Sequence, residues 1–157
     1  MSPTRLLLAV TLPLYALDQL TKLATLRFIP SGHEIPIIPG LFNLVHVTNT
    51  GSAFGMMKGW FGFHVVFGTV MATVILWTIF RPDLDRLSRW ACALILSGIF
   101  GNITDRLVHG HVVDFLDFYI GPHHWPAFNV ADSAIVIAVG LFLWSSFLAP
   151  AQRDGRA

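Results

Sequence analysis

Hydrophobic residues along this chain gather into four long runs separated by shorter polar stretches. Leu6 to Ile29, Trp60 to Phe80, Trp90 to Val108 and Val130 to Leu148 each approach or exceed the about 20 residues that a helix needs to cross a bilayer. The second run is the cleanest, with no formal charge and one histidine, His64. The first carries Asp18, Lys22 and Arg27 in its later half, and the third turns polar near its end. Arg5 followed by LLLAVTLPLYAL also has the outline of a signal peptide. Apolar character resumes after the charges, however, and no small-x-small cleavage site stands out, so the run reads as an uncleaved anchor. Residues 30 to 59 are of another kind. Prolines and glycines punctuate short β-prone runs, IPII and LFNLVHVTN, and predict a strand-rich element outside the membrane. The expected architecture is one integral membrane domain over residues 1–157. It has an all-α core of four transmembrane helices and a small extracytoplasmic β-rich element between the first and second helices.

Composition supports the bilayer as solvent. Of 157 residues, 54% are hydrophobic and 12% charged, and the mean hydropathy is +0.65, whereas soluble domains are about a quarter charged. A net charge of +1 gives no reason to expect nucleic-acid binding. The single cysteine, Cys92, excludes an intramolecular disulfide and a thiolate cluster, and it lies in an apolar run as a packing residue. Four spans put both termini on one side. The termini and the middle connection hold Arg5, Arg81, Arg86, Arg89, Arg153 and Arg156, against Lys58 alone in the two opposite loops. The positive-inside bias then places the termini in the cytoplasm and the loops at 30–59 and 109–128 outside.

Charge within hydrocarbon is expensive, about 2.5 to 3.5 kcal/mol per residue at a helix centre. The chain nevertheless gathers carboxylates between Gly98 and Ile135, at the outward ends of two spans. Asp114 sits between valines and Phe115-Leu116, held against a dry wall where desolvation raises a carboxyl pKa. Asp132 follows Asn129 by three positions. It can be the acidic N3 residue of a helix capped by that asparagine, a catalytic acid, or both. Two such acids close together cannot both ionise easily. One keeps a proton while the other activates water. Asp18 and Lys22, spaced i, i+4, can form a structural ion pair or support a site beside it. Asn102, Asp105 and Arg106 share one helix face, either as polar glue with Asp105 and Arg106 neutralising each other, or as site residues. Arg106 in particular offers five donors suited to a carbonyl or carboxylate. Ser97 and Gly101 form a small-xxx-small pair that admits a neighbouring helix. His109, His111, His123 and His124 could bind a metal with Asp114 and Asp117. Neither H-E-x-x-H nor a histidine pair beside C-x-x-C is present, so no metal and no cofactor is expected. No Gly-x-Ser-x-Gly supports a serine nucleophile.

Four blocks carry a resemblance over nearly the whole chain: Asp18-Gln19-Leu20-Thr21-Lys22, Asn49-Thr50-Gly51-Ser52-Ala53-Phe54, Gly98 to Arg106 continuing into Val112-Val113-Asp114-Phe115, and Phe128 to Ile135. In this order, with four spans, the chain resembles the prolipoprotein (type II) signal peptidases of bacteria. One departure is Ser97, where the family usually has a glycine. The resemblance implies an aspartic endopeptidase of the bacterial cytoplasmic membrane. It would cut diacylglyceryl-modified prolipoproteins before the lipidated lipobox cysteine, at a site near the outer face. It implies Asp114 and Asp132 as the catalytic dyad, and Asn49, Asn102, Arg106 and Asn129 as residues that line the site or hold substrate. Asp18, Lys22, Gly51 and Asp105 come out as structural support. The partners implied are lipid-modified prolipoproteins and membrane lipids, with the protein a monomer. Two other classes remain. A small proton-coupled carrier would spread polar groups through the membrane depth or near its midplane, and a non-catalytic scaffold would only bind signal helices.

Overall fold

The computed structural model describes residues 1–51 and 59–148. Ser52, Ala53 and Phe54 of the second block, and Lys58, Arg153 and Arg156 of the charge comparison, lie outside the described residues.

Among the described residues four helices are long and apolar enough to cross a membrane: α1 (Pro3–Phe28), α2 (Phe61–Ile79), α3 (Arg86–His109) and α4 (Val130–Leu148). Near its start α1 widens into a π-turn at Leu7–Thr11, just before Pro13. Proline lacks the N–H for the regular ladder, and the wider turn absorbs that loss. α3 starts a turn earlier than its apolar run because the Asp85 side chain caps it, accepting from Ser88 N–H at 3.0 Å. It ends at Gly110, whose φ of 78° is the left-handed conformation that glycine adopts freely.

α3 is the central helix and packs against all three others. Small side chains make this possible, with Ala91, Cys92, Ala93, Ser97, Gly98 and Gly101 all buried along it. α1 runs parallel to it. Thr11 donates to Ala93 O at 2.8 Å near one end and Gln19 to Gly101 O at 3.2 Å near the other. The close approach of α4 falls on Gly98 and Gly101. A Cβ on Gly98 would meet Ala131 O, and one on Gly101 would meet Asp18 Oδ2 and the Ala131 methyl. The small pair expected at Ser97 and Gly101 is therefore shifted. Ser97 is buried but turns its hydroxyl back to Leu94 O at 2.7 Å, and Gly98 takes the contact. Large apolar side chains such as Leu20, Val66, Val136 and Phe147 face outward, as suits a lipid-facing surface.

The β-rich element is larger than its sequence suggests. Strands β1 (Glu34–Ile38) and β2 (Phe42–Asn49) come from the region between α1 and α2. β3 (Val112–Ile120) and β4 (His123–His124) come from the connection between α3 and α4. They form one antiparallel order, β1-β2-β3-β4. Asp114 thus lies on a strand and not in an irregular connection. A bulge between Leu44 and Val47 shifts the β2–β3 register, and both Val45 and His46 become buried there. Phe128 bridges back to Leu116 through backbone bonds of 2.8 and 3.1 Å, which fixes the next residue, Asn129, against β3.

Candidate active site

The C-terminal ends of α1 and α3, the N-terminal end of α4 and the inner strands of the sheet meet in one place. Asp114 is 2% exposed there. Both of its oxygens accept from asparagine amides, Oδ1 from Asn129 at 2.7 Å and Oδ2 from Asn49 at 3.0 Å. Asp132, half-buried in the first turn of α4, accepts at Oδ1 from Asn102 at 2.8 Å. The backbone N–H of Asn129 also lies close to the Asp132 carboxyl. The two amides also touch, with Asn129 Nδ2 at 3.3 Å from Asn102 Oδ1, so a two-asparagine chain joins the carboxyl groups. Burial pushes the Asp114 carboxyl up to about 7, with the neighbouring Asp132 charge adding to the rise. The bonds from Asn49 and Asn129 and the more distant Lys22 charge oppose it.

Each asparagine has its orientation set by what its oxygen receives. Asn129 Oδ1 accepts from Asp132 N–H at 2.9 Å and so caps α4, which turns its NH₂ to Asp114. Asn49 Oδ1 accepts from Gly51 N–H at 2.9 Å. Asn102 Oδ1 accepts from the Lys22 ammonium at 3.1 Å. Asp132 thus sits in the first turn of the helix that Asn129 caps, with its Oδ1 on the Asn102 amide. Arg106 donates to Gly51 O at 2.8 Å and to Asn102 O at 3.1 Å. Asp105 does not pair with it. Neighbours on a helix point about 100° apart, and Asp105 turns instead to Lys22 at 3.0 Å. Lys22 also holds Asp18 at 2.9 Å, and all three side chains are at most 2% exposed.

The histidines go elsewhere. His124 bonds Asp117 at 2.9 Å on the sheet, Asp117 also accepts from Asn43, and the His109 and His111 rings lie 6.1 Å apart near the end of α3. Gln19, to which the sequence pattern assigned no role, reaches Asp18 and Asp105 with its amide at 3.1 Å each. Its i, i+3 spacing from Lys22, which puts both on one helix face, was the available signal.

Residues 10–148 match the family described as signal peptidase (SPase) II. The chain belongs to the signal peptidase II family. It is 44% identical over 140 residues to the lipoprotein signal peptidase of Cupriavidus taiwanensis, covering 87% of this chain and 79% of that protein. It is 40% identical over 156 residues to the lipoprotein signal peptidase of Syntrophotalea carbinolica, covering 96% and 93%. A solved structure of a bacterial membrane enzyme matches with a TM-score of 0.86 and 25% identity, over 96% of this chain and 93% of that one. With four spanning-length helices, a member of the signal peptidase II family is a multi-pass membrane protein. A carrier is not favoured. α2 has no charged residue, and the buried charges of α1 and α3 cluster at one end of the bundle.

Proposed function

We propose that this protein is a membrane-embedded aspartic endopeptidase that removes the signal peptide from diacylglyceryl-modified prolipoproteins, cutting before the lipidated cysteine, with Asp114 and Asp132 as the catalytic pair. The observation that carries the reading is the buried Asp114, bonded on both oxygens by amides and joined through Asn129 and Asn102 to Asp132. Low dielectric and mutual repulsion keep one proton on the pair. The ionised acid takes a proton from a water placed between the two, and the water oxygen forms its bond to the scissile carbonyl carbon. The protonated acid gives its proton to the carbonyl oxygen. Collapse of the resulting diol breaks the C–N bond, and the amine leaves with a proton returned by the pair.

Asn49 and Asn102 each use one amide N–H on a carboxylate and keep the other for a substrate carbonyl. Arg106, with two donors engaged, has more to offer. Asn129 faces three acceptors, Asp114, Asn102 and Val113 O, and serves the acids. Asp18, Lys22, Gly51 and Asp105 hold this frame in place. The whole chain acts as a single domain and as a monomer in the bacterial cytoplasmic membrane, with both termini cytoplasmic. Arg5, Arg81, Arg86 and Arg89 mark the cytoplasmic end, opposite the acids. A lipid-tethered substrate reaches the outer interface already positioned, which lowers the entropic part of the barrier.

The test is cleavage by the purified protein in lipid vesicles of a diacylglyceryl-modified precursor and of its unlipidated twin. Cutting of the lipidated precursor alone, before its cysteine, is expected; equal cutting of both overturns the substrate class, and cutting of neither overturns the activity.

The raised Asp114 carboxyl sets a pH dependence. Turnover falls as pH rises through about 7, where the shared proton is lost. Asn49→Ala removes a bond that favours the charged form, so the surviving activity should persist to higher pH. A limb that stays put or moves down in a kcat–pH profile contradicts this. The same carboxyl makes the fold less stable with rising pH, since the unfolded chain ionises near 3.8 and the folded one near 7.

A further inference from the structure

Two buried aspartates outside the acid pair do a matched job. Asp105 Oδ2 accepts from Val113 N–H at 3.0 Å, on the residue just before Asp114. Asp18 Oδ1 accepts from Ala131 N–H at 2.8 Å, on the residue just before Asp132. Each therefore holds the backbone that carries one acid. The two aspartates are in turn held together by the same two side chains. Lys22 bonds Asp18 and Asp105 at 2.9 and 3.0 Å, and Gln19 bonds them at 3.1 Å each.

We propose that Gln19 is a positioning residue that, with Lys22, clamps Asp18 to Asp105 and thereby sets the distance between the Asp114 and Asp132 backbones. One ammonium cannot neutralise two carboxylates, and the remaining negative charge pushes them apart. A neutral amide adds donors between them without adding a charge; its two N–H are shared among the two carboxylates and Gly101 O, and the last of these ties it to α3. Without Gln19 the two aspartates separate, and each draws its backbone segment with it. The charged groups on the helices around the acids are Asp18 and Lys22 of α1 and Asp105 and Arg106 of α3; Gln19→Met changes none of them.

The inference rests on Asp114 and Asp132 being the catalytic pair, and the experiment separates the two ideas. Gln19→Met, similar in shape but without donors, is compared with the parent and with Asp132→Asn for kcat, KM and the pH profile of kcat, per folded molecule. Misplacement of reacting groups by a fraction of an ångström to about 1 Å predicts a kcat loss of about 10- to 100-fold with KM little changed. Wider separation weakens the repulsion that splits the two titrations, so the bell narrows from both sides. Gln19→Asn keeps the amide but shortens its reach, and gives an intermediate loss; it carries the test alone if the methionine variant does not accumulate. Parent-like kcat and profile in these variants, or loss of folded protein with unchanged specific activity, overturns the clamp while the catalytic pair stands. Activity in Asp132→Asn overturns the pair itself.

Discussion

Asp132→Asn is expected to lower turnover of a lipidated precursor by about 10³-fold or more, the loss that follows when a group acting in concert with a second is removed. The variant fits the site it enters. Asp132 accepts from Asn102 at Oδ1, so an asparagine oxygen can keep that bond at 2.8 Å. Folded protein should therefore accumulate, and the loss should appear in kcat. Asp114→Asn is expected to be as inactive but less well tolerated. Both Asp114 oxygens receive amide N–H groups, so an asparagine there must turn its own NH₂ against the NH₂ of Asn49 or Asn129. That leaves a buried donor unpaired, at about 1–3 kcal/mol. Cleavage assays on purified variants, with unfolding midpoints measured alongside, separate the two effects. Near-parent turnover by either variant would refute the pair.

The second large effect is on stability. Lys22→Met removes an ammonium that touches Asp18, Asp105 and Asn102 at 2.9 to 3.1 Å and is itself 2% exposed. It leaves two buried carboxylates without a cation, and breaking a buried ion pair from one side costs about 3–5 kcal/mol. Thermal unfolding in detergent should show a clearly lowered midpoint. Activity should fall as well, since Asn102 is then free to turn its amide away from Asp132. Adding Asp105→Asn to Lys22→Met restores the net charge of the cluster and should recover part of the lost midpoint. An unchanged midpoint in the single variant, or no recovery in the double one, contradicts the buried network.

Much of the fold was legible because the bilayer writes plainly. An uninterrupted apolar run of spanning length has few alternatives, and the fourth run, expected from Val130, is helical from that residue. The start of α3 was less clear, because Arg86-Leu-Ser-Arg89 is polar and its helicity rests on the Asp85 cap. Half of the sheet was missed for a physical reason. β3 pairs with β2, some 65 residues away, and its own sequence alternates poorly, with aspartates at 114 and 117 among apolar neighbours.

The site divides in the same way. The cost of carrying charge near hydrocarbon singled out the acids, and i, i+4 spacing singled out Asp18 with Lys22. The orientation of an amide was not legible. Asn102 turns its NH₂ to Asp132 because Lys22, 80 residues away, occupies its oxygen. Adjacency also misled. Asp105 and Arg106 invite a mutual pair, whereas one turns to α1 and the other to the carbonyl of Gly51.

A structure of the protein in lipid, at a resolution that shows ordered water, decides whether the two acids work as one pair. One water molecule within about 3.2 Å of both an Asp114 oxygen and an Asp132 oxygen is expected. Separate waters on each acid, with the two carboxyl groups too far apart to share one in the free and the substrate-bound protein, would contradict it.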